Sequence, residues 1–81
     1  MDLIERAATP LVRDVRLLPV GTGRWRVLDR GGRLLGHLRA DAQPDGVRFH
    51  AERFDRITAR LRTIGSFWTA AEAAECLRYL R

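Results

Sequence analysis

The sequence predicts an α+β fold: a small antiparallel sheet of three to five strands with one C-terminal helix packed on its apolar face. Two alternating runs flank Gly31 and Gly32, a third covers residues 47–51, and a helix start follows at Thr69. A chain of 81 residues suits one two-layer core, so we expect residues 1–81 to be a single domain.

The central hairpin joins residues 24–30 to residues 33–39. A Gly-Gly pair supplies the positive φ angles of a two-residue primed turn, which places Arg30 opposite Arg33. Alternation then assigns one apolar and one basic face to the sheet. The expected opposite pairs are Trp25 with Leu38, Val27 with Gly36, Arg24 with Arg39 and Arg26 with His37.

A third strand is predicted over residues 47–51, where apolar and basic side chains alternate. If residues 40–46 close symmetrically, Arg39 faces Arg48 and His37 faces His50. Two basic rows would then cross the solvent-facing side, with Trp25, Leu38 and Phe49 behind the first. The rows are Arg24, Arg39, Arg48 and Arg26, His37, His50.

The first part of the chain is expected to be less regular. Residues 2–8 can form one or two helical turns before Thr9 and Pro10, and residues 1–10 can fray. Residues 11–20 predict a strand, with Pro19 at an edge or outside the ladder. A turn over residues 21–23 follows, and we expect residues 11–65 to be mainly antiparallel sheet.

Residues 52–64 fit two interpretations. Phe54, Ile57, Leu61 and Ile64 recur at helical spacing, with Gly65 placed as a helix C-cap. The alternation of Ile57, Ala59 and Leu61 with polar residues instead indicates a strand. Periodicity alone leaves both the helix and the strand open for residues 54–64.

The C-terminal helix is predicted over residues 69–80. Thr69 and Glu72 have the spacing of a capping box. Small and aliphatic side chains then recur on one side, and we expect them to cover the sheet near Val27, Gly36 and Ala51. This stripe consists of Ala70, Ala73, Ala74, Leu77 and Leu80.

Composition favours a polyanionic partner. Fifteen basic residues, all arginine, stand against ten acidic ones, for a net charge of +5. The absence of lysine fits either phosphate recognition or a coding bias. A single cysteine, Cys76, and the absence of a long apolar stretch predict a cytoplasmic protein without disulfide or membrane contact.

Catalytic motifs are absent from the sequence. No nucleophile elbow, carboxylate dyad, phosphate loop or paired-cysteine motif occurs, so we expect no enzyme and no cofactor. His37, His50 and Cys76 are the residue types of a metal site, but the predicted sheet places the histidines opposite the cysteine. We therefore expect no bound metal.

Glycine, aromatic, aliphatic and capping residues form a recurring pattern in residues 23–80: Gly23, Arg24, Trp25, Val27, Gly32, Leu35, Gly36, Ile64, Gly65, Ser66, Phe67, Thr69, Glu72 and Ala73. In this pattern residues 23–80 resemble the small sheet-plus-helix DNA-binding domains of the plant AP2 type and of integrase arm-binding regions. In that family a three-stranded sheet enters the DNA major groove, which implies contacts from Arg24, Arg26, Arg39 and Arg48. The resemblance also favours a strand around residues 58–64. This chain departs from the family pattern in two respects: the segment 40–63 is long, and the alternation places the side chain of Trp25 on the core side of the sheet.

Two functions follow as hypotheses. In the first, the protein is a regulatory or accessory factor that binds duplex DNA through its basic sheet face. In the second, it is a protein-interaction module that uses Trp68, Tyr79 and the helix edge, or a homodimer formed through a sheet edge. The predicted DNA-binding residues are Arg24, Arg26, Arg30, Arg33, His37, Arg39, Arg48 and His50.

Overall fold

A computed structural model describes residues 9–79, which form one five-stranded antiparallel sheet and one helix. The strands follow one another in the order β1-β2-β3-β4-β5, and the helix, α1, packs against β3, β4 and β5. The predicted α+β fold is thus confirmed; the predicted turns at residues 2–8 lie outside the described part. The elements are β1 Arg16–Gly21, β2 Arg24–Leu28, β3 Leu34–Gln43, β4 Gly46–Asp55, β5 Arg60–Phe67 and α1 Ala70–Tyr79.

The core lies between α1 and the apolar face of the sheet. Trp25 is 4% exposed, and its indole Nε1 donates a hydrogen bond of 3.2 Å to Thr9 Oγ1. The inward parity predicted for Trp25 is therefore confirmed. Alternation brings the other core side chains of the strands to the same face. The buried core consists of Leu17, Trp25, Val27, Leu38, Ala51, Ala70, Ala73, Ala74 and Leu77.

Gly36 lets the helix approach the sheet. A Cβ atom at this position would lie 2.6 Å from Leu77 Cδ2 and 2.6 Å from the backbone oxygen of Glu52. Val27 pairs with Gly36 as predicted, whereas Ala51 belongs to the neighbouring row, opposite Leu38. Only a residue without a side chain fits between Leu77 and β4 at this point.

The start of α1 is capped as the sequence predicts. Thr69 Oγ1 accepts a hydrogen bond of 3.1 Å from the backbone N–H of Glu72 and donates one of 2.9 Å to Glu72 Oε1. These bonds satisfy an N–H group that has no partner within the helix. Residues 70, 73, 74 and 77 form the buried stripe.

The first strand is shorter than predicted. It begins at Arg16 and not at residue 11, because the chain turns at Asp14, whose φ is 66°. Pro19 lies on β1, an edge strand of the sheet, where a missing N–H is tolerated. The edge position predicted for Pro19 is therefore confirmed.

The helical interpretation of residues 52–64 is wrong, and the strand interpretation is confirmed for residues 52–55 and 60–64 but not for residues 56–59, which form a turn. β4 continues to Asp55, four residues turn, and β5 begins at Arg60. The turn is closed by Asp55 Oδ1, which accepts hydrogen bonds from the N–H groups of Ile57 (2.9 Å) and Thr58 (3.5 Å). Gly65 pairs with Ala51 inside β5, so it caps no helix.

No helix within residues 9–79 combines the length and apolar character needed to cross a bilayer.

Candidate nucleic-acid interface

The face of the sheet opposite α1, here called the outer face, carries the basic side chains of β2 and β3. Arg24 pairs with Arg39 and Arg26 with His37, as predicted from the hairpin. Side chains at alternate positions project to the same face, and Trp25 between the two arginines projects into the core. The central part of the predicted basic face is therefore present.

The pairing of β3 with β4 differs from the prediction by two residues. β3 runs on to Gln43, which pairs with Gly46 across the two-residue turn Pro44-Asp45. Arg39 consequently lies opposite His50, and His37 opposite Glu52, so the predicted pairs Arg39–Arg48 and His37–His50 are wrong. The two predicted basic rows are wrong for the same reason. A shift of two residues keeps each side chain on its face. The observed rows are Arg24, Arg39, His50, Ser66 and Arg26, His37, Glu52, Thr63.

Other consequences follow from the same shift. Arg48 pairs with Asp41 at the far end of the outer face. On the core side Phe49 pairs with Ala40, so the expected stack of Phe49 behind Trp25 and Leu38 is also wrong.

The tip of the β2–β3 hairpin is also different. Asp29 N–H donates to the backbone oxygen of Arg33 at 2.9 Å, and Gly32 N–H to that of Asp29 at 3.0 Å. The loop thus has three residues with a positive φ only at Gly32, so the predicted two-residue turn and the Arg30–Arg33 pair are wrong. An extra β3 residue, Leu35, restores the predicted register.

Arg30 and Arg33 therefore lie at the hairpin tip. Arg30 Nη2 is 2.7 Å from Asp14 Oδ1, an ion pair that neutralises part of its charge. Arg33 is exposed, and its side chain has no hydrogen bond or ion pair within residues 9–79. Of the eight predicted site residues, these two are set apart from the six that share the outer face.

A carboxylate that the sequence reading missed lies at the centre of the outer face. Glu52 is 6% exposed, and its Oε2 is 3.3 Å from Arg39 Nε. Its Oε1 is 3.9 Å from Arg24 Nη1. Glu52 has the parity of Arg48 and His50, so extending the alternation past residue 51 would have located it.

His37 and Arg26 lie side by side next to Glu52. Burial, followed by the charge of Arg26, lowers the pKa of His37 below its ordinary value of 6.5, and Glu52 opposes the shift. His37 Nδ1 is buried without a partner among the described residues. Arg26 is exposed and has no ion pair or hydrogen bond to the described chain. Arg26 therefore offers a charge on this face that no carboxylate of residues 9–79 pairs with.

His50 is held across three strands. Its Nδ1 is 2.7 Å from Ser66 Oγ on β5, and its Nε2 is 3.6 Å from Asp41 Oδ2 on β3. Asp41 and Ser66 were both missed from the sequence, although Asp41 has the parity of Arg39. The hydrogen bond to Ser66 orients the imidazole within the row, whereas the Asp41 carboxylate lies beyond hydrogen-bond distance of Nε2.

Arg48 and Trp68 form the far end of the outer face. The guanidinium carbon of Arg48 lies 4.4 Å from the centroid of the Trp68 ring, a cation–π contact. The indole is 49% exposed. An arginine stacked on an aromatic ring keeps its charge available to an anion.

Cys76 is separated from the histidines by the sheet. Cys76 is half-buried on α1, and its Sγ atom lies 3.5 Å from the point that a Cβ atom would occupy at Gly65. Within residues 9–79 no three His, Cys, Asp or Glu side chains are grouped so as to hold a metal ion.

Comparisons with protein-family models, with curated proteins and with solved structures give no match to this chain. Its function is therefore inferred from its own residues.

Proposed function

We propose that the protein binds duplex DNA through the outer face of its sheet. The observation that carries this proposal is that Arg26, at the centre of this face, has no ion pair within residues 9–79, although Glu52 pairs with its neighbours Arg24 and Arg39. Arginine side chains clustered on one face without an internal counter-charge are typical of surfaces that bind the phosphates of nucleic acids.

The charge balance of this face supports the proposal. On strands β1 to β4 the outer positions carry five arginines against two carboxylates, so an excess of positive charge remains after internal pairing. Glu52 compensates part of the charge of Arg24 and Arg39, and Asp41 lies beside His50. Arg16, Arg26 and Arg48 are left as candidates for phosphate contacts, because none of the three has an ion pair within residues 9–79. The five arginines are Arg16, Arg24, Arg26, Arg39 and Arg48.

Fluorescence anisotropy with a random-sequence duplex tests the proposal. Affinity should fall steeply between about 50 and 200 mM salt, with a log–log slope of roughly −0.9 for each phosphate neutralised. Arg26→Gln should weaken binding of all duplexes alike and reduce the slope by about 1. No binding at the low salt concentration would refute the proposal.

The matched control is Arg13→Gln. Arg13 is exposed in the segment before β1, outside the sheet, so this variant loses the same charge elsewhere. We expect its affinity to stay within twofold of the parent chain. An equal loss in both variants would mean that net charge, and not the outer face, attracts the DNA.

A second candidate function is a protein-interaction module. It is favoured by exposed apolar side chains on the outer face at the end remote from Trp68: Leu34, Phe54 and Leu61. Such side chains are common in protein interfaces and carry no attraction for phosphate. Sedimentation velocity at rising protein concentration tests self-association, which Phe54→Ser should then abolish. Self-association without any DNA binding would favour this candidate.

A further inference from the structure

Strands β3 and β4 separate toward one end of the sheet. Their last pair in that direction is His37 with Glu52; beyond it, Leu34 and Gly36 pair with β2, whereas Arg53 and Phe54 pair with β5. A cleft of about 450 Å³ lies where the strands diverge. Its principal lining residues are Arg33, Leu34, His37, Arg53, Phe54 and Arg56.

The polar lining of the cleft is cationic. Arg33 and Arg56 are exposed, and their side chains have no hydrogen bond or ion pair among the described residues. Arg53 is anchored differently, because its Nη2 donates a hydrogen bond of 3.4 Å to the backbone oxygen of Leu77 in α1. No carboxylate is among the described residues that line the cleft. Two guanidinium groups without a counter-charge within residues 9–79 favour a phosphate or carboxylate ligand.

The remaining lining is apolar and includes an aromatic ring. Phe54 is 59% exposed and Leu34 is 50% exposed, although both lie within regular strands. An inorganic anion would leave this apolar surface in water, and a purely apolar molecule would leave the guanidinium groups unpaired. The ligand that satisfies both parts has a planar or apolar body and an anionic group. His37, whose buried Nδ1 has no hydrogen-bond partner within residues 9–79, adds a further polar group to the same wall.

We propose that the cleft between β3 and β4 binds a nucleoside phosphate, with the phosphate held by Arg33 and Arg56 and the base stacked on Phe54. The cleft volume falls within the range of about 300–1,000 Å³ that is typical of small-ligand sites. Base–aromatic stacking tolerates every base, so the site selects the class of ligand and not one base. This site stands apart from duplex binding, because Arg26 and Arg48 are not among its lining residues.

The test is an NMR titration of the full chain with adenosine monophosphate, adenosine and ribose 5-phosphate as separate probes. Adenosine monophosphate should give saturable shifts at Arg33, Phe54 and Arg56, and it should bind more tightly than either half-molecule. Arg56→Gln should weaken its binding about tenfold, the loss expected for a hydrogen bond to a charged group. Shifts that do not saturate would overturn the proposal.

Two variants separate the contribution of the base from that of the phosphate. Phe54→Ala should make adenosine monophosphate and ribose 5-phosphate bind equally, since the base then has no ring to stack on. Arg13→Gln, the control of equal charge change, should leave both affinities unchanged. Equal losses in Arg13→Gln and Arg56→Gln would overturn the proposal, as they would indicate attraction by net charge alone.

The same chemistry is available in a free nucleotide and at an unpaired position of a nucleic-acid strand. A duplex with a one-nucleotide overhang should bind more tightly than its blunt counterpart if the strand supplies the nucleotide, and Phe54→Ala should abolish that difference. If the two duplexes bind equally and adenosine monophosphate still binds, the ligand of the cleft is a free nucleotide. Loss of duplex binding in Arg26→Gln with retained nucleotide binding would separate the two sites.

Discussion

Glu52 Oε2 lies 3.3 Å from Arg39 Nε on the outer face, and the carboxylate is nearly removed from solvent. A buried carboxylate next to a guanidinium is costly unless the two remain paired. The protein therefore holds its own anion at the centre of the surface that we propose for DNA. This arrangement makes Glu52 an internal competitor of a DNA phosphate.

Replacing Glu52 by Gln is expected to strengthen DNA binding and weaken the fold. The neutral amide frees Arg24 and Arg39, so affinity should rise roughly fivefold if one added charge contact contributes about 1 kcal/mol. Losing the charged hydrogen bond to Arg39 should lower the free energy of unfolding by about 1–2 kcal/mol. Anisotropy and urea unfolding measure the two effects. Glu75→Gln, at an exposed position of α1, is the control, and an equal rise in its affinity would contradict the competition.

Gly36→Ala should destabilise the protein. The added methyl group meets the backbone oxygen of Glu52 and the side chain of Leu77, each at 2.6 Å, and the backbone cannot yield easily. Overpacking of this kind costs about 1–3 kcal/mol, which urea unfolding will measure. At Gly21 a Cβ atom has no neighbour within 4 Å, so Gly21→Ala should change stability by less than about 0.5 kcal/mol. Equal effects of the two variants would show that α1 does not constrain Gly36.

Stability should fall on acidification because of His37. Its pKa is lowered in the folded protein by burial and by Arg26, so between the folded pKa and 6.5 the unfolded chain binds more protons. The stability that neutral His37 contributes is present above pH 6.5 and is lost as the pH falls toward the folded pKa. His37→Gln should flatten the dependence in this window, as urea unfolding at several pH values will show. An unchanged slope in the variant would contradict the lowered pKa.

The two tryptophans should differ strongly in their effect on stability. Trp25→Ala removes a buried ring and its hydrogen bond to Thr9, at a cost of about 3–5 kcal/mol. Trp68→Ala removes a half-exposed ring whose contact with Arg48 is worth about 0.5–1 kcal/mol. Thermal unfolding followed by circular dichroism measures both variants. Similar losses would mean that the two rings contribute equally to packing.

The central hairpin could be predicted from the sequence because its side chains alternate without interruption. Its tip could not, because a three-residue loop compensated by a bulge at Leu35 produces the same register as a two-residue turn. Counting residues between Trp25 and Leu38 does not distinguish these cases. The predicted pairing of Arg30 with Arg33 is wrong for this reason.

The register of β3 with β4 could not be predicted because residues 40–42 do not have the composition of a strand. Ala40, Asp41 and Ala42 have low strand propensity, yet each pairs with β4 because the ladder continues to a tight turn at residues 44–45. Continuation of the pairing supplies backbone hydrogen bonds that composition does not reveal. The predicted third strand also ends too early, at residue 51, whereas β4 continues to Asp55. Glu52, the central carboxylate of the site, lies just beyond the predicted end and could not be recognised from it.

Residues 52–64 were ambiguous for a different reason. Phe54 and Leu61 sit opposite each other on β4 and β5, and Ile57 lies in the turn between them. Their spacing in the sequence imitates one face of a helix, although a hairpin separates them. The hairpin is favoured over a helix by the hydrogen bonds that Asp55 Oδ1 accepts in the turn and by the pairing of β5 with β4. Neither feature is visible in the spacing of the apolar residues.

Each strand of this sheet pairs only with the strand next to it along the chain. Short loop closures therefore suffice to form every ladder, and no distant segments must meet before a neighbouring hairpin is in place. The sheet can grow one hairpin at a time from the β2–β3 unit, with the helix docking onto strands that are already assembled.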